Sequence, residues 1–493
     1  MTGHHLETEI GSADNSSKTS AACGHSSLGQ ACVAEDQVIQ HRPKPIDVVP
    51  DGGYGWVCVA AVFLINAHTW GINSSYGIFL SHYLTQNIFP GATSLEYAFV
   101  GGLSISMACF FAPLATISTR QFGTRTTLLI GVVFEAGALL GASFATRIYQ
   151  LFLSQGVCFG FGMSFLFVGS VGVVPQWFLK RRSFANSIAT AGSGIGGLIY
   201  SLATNAMIQS IGLGWAFRVL AIVAFVVNGI CAILIRDRNK AVGSVISAFD
   251  AKLLKRPEFL MLLLWAFFSL LGYVVLLFSM PNYARSIGLT AKQASIVGAL
   301  LNLGQALGRP CVGFYSDAAG RINIAGLCTF ATGLFCLVVW VFAKSYGVLI
   351  FFAILVGTVA GTMWTVVAPV GAEVIGLQRL PSALSVVWVI LVLPATFSEP
   401  IGLQLRTADG NYLHAQLFAG FMYIAAAICM WFVRAWKIRE LDKMTIETKD
   451  SVIKDDDAAA EKQRPSLSRR ASRTTSFKSK AKSTRGLWAL VRV

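Results

Sequence analysis

Phe259-Leu-Met-Leu-Leu-Leu-Trp-Ala-Phe-Phe-Ser-Leu-Leu-Gly-Tyr-Val-Val-Leu-Leu-Phe-Ser-Met280 contains no charged side chain. As an α-helix it rises about 33 Å, enough to cross a hydrocarbon core of about 30 Å. Apolar residues cover every side of such a helix, so no polar face is left for water. A helix is also one of the two structures that satisfy all backbone groups inside lipid. This segment therefore reads as a transmembrane helix, and the question becomes how many others accompany it.

Working outward from it, the expected spans are approximately 56–79, 97–117, 127–146, 151–175, 184–207, 215–235, 259–281, 294–315, 322–343, 347–371, 382–402 and 415–436. Composition agrees: 54% of residues are hydrophobic, and only 13% are charged, about half the share usual in a soluble protein. The mean hydropathy is +0.62. The longest internal polar stretch, Arg236 to Glu258, divides the spans six and six, as an internal repeat does. The expected organisation is a tail at 1–50, a six-helix half at 51–236, a central loop at 237–258, a second half at 259–436 and a tail at 437–493. The fold class is all-α, a membrane protein of two six-helix bundles.

Both tails are polar, and the second holds 15 Lys or Arg against 8 Asp or Glu. Such segments bury too little apolar surface to offset the entropy of ordering, and are expected to be disordered. Orientation follows from the basic residues: the even-numbered loops carry thirteen Lys or Arg and the odd-numbered loops five. Positive loops stay cytoplasmic, so both termini are placed in the cytosol of a multi-pass protein, with the plasma membrane as its expected location. The net charge of +15 then reflects topology and contact with anionic lipid rather than a nucleic-acid partner. In the second tail, Arg469-Arg-Ala-Ser472 and Arg473-Thr-Thr-Ser476 have the pattern of basophilic kinase sites at Ser472 and Ser476.

Between spans 8 and 9 the chain reads Gly313-Phe-Tyr-Ser-Asp317-Ala-Ala-Gly320-Arg321. The glycines permit a tight turn, the acid suits a helix N-terminus, and the arginine can pair across the turn. This stretch resembles the loop signature of the major facilitator superfamily. The matching first-half loop, Arg120-Gln-Phe-Gly123-Thr-Arg125, is degenerate, with Arg120 where the superfamily places an acid. Asp51-Gly-Gly-Tyr-Gly-Trp56 opens span 1, and Trp177-Phe-Leu-Lys180-Arg-Arg-Ser-Phe-Ala-Asn-Ser-Ile-Ala-Thr-Ala-Gly-Ser-Gly194 opens span 5. Both resemble motifs of the monocarboxylate transporter family, and the long tails, with the family's coupling residues missing, make the chain look most like its fungal branch. That resemblance implies the major facilitator fold and transport by alternating access. It also implies that Arg309 corresponds to the eighth-helix arginine of lactate-type members. Their first-helix lysine falls on Ser74 and their eighth-helix acid on Gln305, so the pair that exchanges protons in those members is missing.

Arg309 lies mid-span, where a charge costs at least ~2.5 kcal/mol. Asn302, Gln305 and Arg309 are spaced i, i+3 and i+7 on one helical face, suited to an anionic or hydrogen-bonding ligand. The competing reading is snorkelling or pairing with a neighbouring helix. Asn66, Trp70, Asn73 and Gly77 form a similar stripe in span 1, read either as cavity-facing or as helix–helix contact. Trp364, Trp388 and Tyr273 read either as core or interface-belt aromatics or as a surface on which a planar solute stacks. Glu135 and His68 are embedded groups able to trade a proton, although either also fits a structural hydrogen bond. The close-spaced small residues of span 5, Gly192 and Gly196 among them, suit helices that rock against each other.

No catalytic triad, metal-ligand spacing or phosphate-binding loop is evident, so neither an enzyme nor a cofactor is expected. The reading is a secondary transporter of a small organic solute, anionic or polar, such as a carboxylate or a vitamin-like molecule. The alternatives are an exporter of a secondary metabolite and a nutrient sensor that signals through its tails. Its topology is testable directly. An epitope inserted between Arg236 and Glu258 is expected to resist external protease in intact cells, and cleavage there would reverse the orientation.

Overall fold

The computed structural model describes residues 50–86, 88–243, 250–405 and 411–462. The candidate phosphorylation sites Ser472 and Ser476 lie outside the described residues, as do nearly all of the first tail and the end of the second.

Each expected span is helical. Span 1 is built from Gly55–His68, Trp70–Ser74 and Tyr76–Gln86, and span 2 from Ser94–Phe110 and Ala112–Phe122. Thr124–Ala142 forms span 3, and Ile148–Trp177, with a π-helical stretch at Phe152–Cys158, forms span 4. Spans 5 and 6 are Arg182–Ile211 and Leu213–Leu234. In the second half, spans 7 and 8 are Pro257–Ser286 and Ala291–Ala319, and span 9 is Arg321–Phe335 continued by Cys336–Trp340. Span 10 is Tyr346–Ala360 and Thr362–Ile375, interrupted at Gly361; span 11 is Leu380–Gln404 and span 12 begins at Leu413.

Among the described residues, nine helices are long and apolar enough to cross a membrane, or ten if the two parts of span 2, bent by 42°, count as one. Spans 5 and 8 are the long helices outside that set. The reason lies in their position: their buried faces carry Asn186, Ser187, Thr190, Gln305 and Arg309 and meet protein rather than lipid. Lipid-facing helices show the opposite pattern, as in span 6, where Ile222, Phe225, Val226, Ile230 and Ile233 are all exposed on one side.

The second tail differs from expectation at its start. Span 12 continues as one helix to Lys462, so residues 437–462, expected to be disordered, are helical at this end. The stretch is rich in Lys, Glu and Asp, which pair favourably at helical spacing, and in Ala, the strongest helix former. Lys437 contacts Glu440 at 2.7 Å, and Ile438 is buried in the core.

Backbone contact between helices sets the architecture. A Cβ on Gly192 would lie 2.0 Å from the Phe63 carbonyl oxygen, and one on Gly196 2.3 Å from that of Ala67, so spans 1 and 5 touch main chain to main chain. The relation of spans 2 and 4, where a Gly160 Cβ would fall 2.7 Å from the Ser104 oxygen, recurs in spans 8 and 10, where one on Gly308 would fall 2.2 Å from that of Thr358. The corner glycines Gly123 and Gly320 correspond in the same way, with φ of +84° and +102°. Of the buried apolar clusters, two lie in spans 1–6 and one in spans 7–12. The largest joins the halves through Ile105 and Phe167 of the first and Trp364 and Trp388 of the second.

A Cβ facing a backbone oxygen finds no side chain to move aside. Gly196→Val is therefore expected to destabilise the protein by about 1–3 kcal/mol or more, read as a lowered melting temperature in detergent. Gly77→Ala, where an added Cβ meets nothing within 4 Å, serves as the control and should melt like the wild type.

Candidate functional site

Spans 5 and 8 meet along a seam of small residues. A Cβ on Gly194 would lie 2.9 Å from the Ala306 nitrogen, and one on Gly313 2.0 Å from the Ser187 hydroxyl. This proximity lets Arg309, on span 8, reach across to the first half. One terminal nitrogen donates to the Thr190 carbonyl at 2.6 Å and to the Ser193 hydroxyl. The other donates to Gln305 Oε1 at 2.8 Å, and that oxygen also accepts from the Tyr273 hydroxyl at 2.9 Å. Arg309 and Gln305 are 5% and 2% exposed. Among the described residues, none of the hydrogen bonds of Arg309 goes to a carboxylate, and its Nε and Gln305 Nε2 are buried without a partner. The break of span 10 lies against this group: a Cβ on Gly361 would sit 3.1 Å from Arg309 Nε.

One helical turn beyond Gly361 stands Trp364, within an aromatic cluster shared by the halves. Its ring lies 5.0 Å from Trp70 of span 1 and stacks on Trp388 of span 11 at 5.8 Å and 11°. Phe167 of span 4 meets Trp70 and Trp388 edge-on at 5.4 and 5.0 Å.

Near the even-numbered loops the seam is closed by the signature stretch. Asp317 accepts from the backbone N–H groups of Ser183 and Phe184 at 3.1 and 2.8 Å. The helix N-terminus that receives this acid is therefore that of span 5, in the opposite half, where negative charge is favoured. Arg321 pairs with Asp317 at 2.9 Å and Glu373 at 2.7 Å, and donates to the Leu179 carbonyl at 2.8 Å. Asn186 adds a bond to the Thr365 carbonyl at 2.6 Å. In the first-half loop Arg120 is exposed, and Arg125 donates to Ile235 at 3.3 Å within its own half.

The two stretches similar to the monocarboxylate family form one cluster. Asp51 accepts from Leu179 and Lys180 N–H at 2.7 and 2.9 Å. Tyr54 donates to the Leu234 carbonyl, and Trp177 to that of Arg236. Sequence reading missed the roles of Asp51, Glu373 and Asn186. Glu373 carried a signal, as an acid near the end of an apolar span; a bond from Asn186 to a distant carbonyl left none.

The span 1 stripe does not hold as a single surface. Span 1 runs as one course from Gly55 to Leu80, with single turn residues at Thr69 and Ser75, and the members of the stripe meet different neighbours. Asn66 is buried, its amide nitrogen bonded to Val62 and, in span 5, Ala189 carbonyls at 3.0 and 3.1 Å, which makes it a packing residue. Asn73 accepts from Ser104 of span 2 at 2.8 Å, whereas Trp70 joins the aromatic cluster. Ser74 and Asn302 flank Gly197 on spans 1 and 8. His68 Nδ1 lies 2.8 Å from the Leu64 carbonyl, its ring edge-on to Tyr200. Glu135 is fully buried in the first half and accepts from Asn228 of span 6 at 2.7 Å, away from the seam.

The family model of the Major Facilitator Superfamily matches residues 58–398 and 262–491. The chain is 36% identical over 398 residues to "Probable transporter MCH2" of Saccharomyces cerevisiae, covering 79% of this chain and 84% of that one. It is 28% identical to the "Fujikurins efflux protein" of Gibberella fujikuroi, over 80% and 84% of the two chains. With "Monocarboxylate transporter 12" of Rattus norvegicus it shares 26% identity over 82% and 90%. In structure it is similar to the proton:xylose symporter XylE, with a TM-score of 0.61 at 14% identity over 76% and 95% of the chains. The chain belongs to the major facilitator superfamily of membrane transporters, among relatives that are monocarboxylate-transporter-like and largely fungal.

Proposed function

We propose that this chain is a secondary active carrier of a small organic solute bearing one anionic or strongly hydrogen-bonding group, with Arg309 as the protein group that receives it. The observation that carries this reading is the guanidinium itself. It is buried between the halves, bonded to neutral oxygens alone among the described residues, and faced by a glycine. A buried charge without a counter-ion is costly, and a solute anion removes that cost when it binds. Thr190 and Ser193 occupy the guanidinium in the state seen here. As the halves tilt apart at this end those bonds break, and the freed donors pass to the solute.

The Asp317–Arg321–Glu373 ion pairs hold the seam closed on the side of the even-numbered loops in this state. Outward export of a metabolite runs the same cycle in reverse, and the similarity to an efflux protein favours it as the second reading. The Ser74 and Gln305 substitutions leave proton dependence to the solute or to other embedded groups.

Arg309→Gln is expected to weaken solute binding by about 2–5 kcal/mol. Arg309→Lys should recover only part of this, because a point charge lacks the planar fork. Initial-rate flux in proteoliposomes at matched protein levels measures both, and unaltered affinity in Arg309→Gln overturns the assignment. In the same assay Asp317→Asn should slow net flux by removing the charge at the span 5 N-terminus, while solute affinity changes little. Glu135→Gln should lower the yield of folded protein and leave the pH profile of flux intact; a flattened profile would make Glu135 the coupling group.

A further inference from the structure

We propose that the solute carries a planar aromatic body behind its acidic head, and that the Trp70–Trp364–Trp388–Phe167 cluster is its binding pocket. This rests on the reading of Arg309 given above and adds the chemistry of the rest of the molecule. Gly361 lies against the guanidinium and Trp364 one turn later on span 10, an axial rise of about 5 Å. That separation is comparable to the length of one aromatic ring.

The cluster has features that simple core filling does not require. Its rings come from spans 1 and 4 of one half and 10 and 11 of the other, so it opens when the halves rock apart. Trp70 remains partly exposed although rings of both halves, Phe167 and Trp364, pack against it. The indole nitrogens of Trp70 and Trp388 are both buried without a hydrogen-bond partner, and Trp388 is 1% exposed. Buried N–H groups almost always find an acceptor, and Phe or Leu would fill the same space without leaving a donor unmet. Two unmet donors beside stacked faces suit a ring with an oxygen substituent. The faces take the ring by offset or edge contact, and the indole N–H donates to the oxygen. Gln305 Nε2 and Arg309 Nε, two further unmet donors, lie at the acidic end.

The test uses purified full-length protein and four acids of one negative charge: acetate, hexanoate, phenylacetate and 4-hydroxyphenylacetate. Binding is read by thermal shift in detergent, and transport by counterflow in proteoliposomes. The two aromatic acids are expected to bind and exchange, 4-hydroxyphenylacetate about three- to tenfold more tightly, the value of one added hydrogen bond. Trp388→Phe keeps a ring and removes one of the two donors, so it should reduce the preference for the hydroxylated acid, and Trp70→Phe with Trp388→Phe should erase it, while phenylacetate still binds. Arg309→Gln should weaken both. If hexanoate matches phenylacetate in an Arg309-dependent way, the aromatic pocket is overturned and the Arg309 assignment stands. If aromatic acids bind equally well to Arg309→Gln, the pocket stands and the Arg309 assignment falls. If none of the four acids shifts the melting of folded protein, the aromatic-acid proposal is overturned.

Discussion

The contact between spans 5 and 8 is the constraint on which the rest of the site depends. Gly194 and Gly313 bring the two helices so close that a Cβ at either position would collide with the partner. Only at that distance does Arg309 span the gap to a main-chain carbonyl, and only there does Asp317 reach the first turn of span 5. Both helices give up apolar character to make this contact. The loss is sustainable because their polar faces meet each other rather than lipid, where unmatched polar groups are expensive.

The latch is one-sided, and the sequence explains why. In the second half an acid caps the opposing helix and an arginine ties it to Glu373 and Leu179. In the first half Arg120 takes the acid's place, and a cation has nothing to gain from a helix N-terminus. It is exposed, and Arg125 turns instead to its own half. What reinforces the first half is the Asp51 cluster, which binds the start of span 1 to the turn before span 5. Two stretches far apart in sequence therefore work as one mechanical part. The segment that Asp51 holds, Leu179–Lys180, is also the one whose carbonyl receives Arg321. Any shift of span 1 is thus felt at the latch through a few hydrogen bonds.

The fold and its multi-pass membrane class were legible because hydrocarbon imposes a strong rule on sequence: every span from 56–79 to 415–436 falls on helix. The turn glycines were legible for a similar reason, since Gly123 and Gly320 adopt backbone angles that other residues resist. The side-chain assignments fared unevenly. Spacing put Asn302, Gln305 and Arg309 on one face, and an unbroken helix preserved that register. In span 1 spacing left two readings open, cavity-facing stripe or helix–helix contact, and Asn66 and Asn73 make contacts of the second kind, with spans 5 and 2. Helical spacing says which residues share a face; it does not say which neighbour each of them meets. The start of the second tail escaped for another reason: composition reports the absence of a core, whereas residues 437–462 extend a helix already nucleated in the membrane and avoid the cost of a new nucleus.

The replacement of an acid by Gln305 has consequences for the carrier cycle under the proposed reading. An acid beside Arg309 would neutralise it internally, and a proton on that acid would then govern when the arginine is free. Gln305 instead accepts from both Arg309 and Tyr273, fixing the guanidinium's orientation without cancelling its charge. The empty site keeps a net positive charge, met in the closed state by the Thr190 carbonyl and the Ser193 hydroxyl. Opening the seam without a solute strips those oxygens from a charge still partly desolvated, whereas a bound anion replaces them as they leave. The barrier to reorientation is therefore lower for the loaded carrier than for the empty one. That inequality couples movement of the protein to movement of the solute without an internal proton donor.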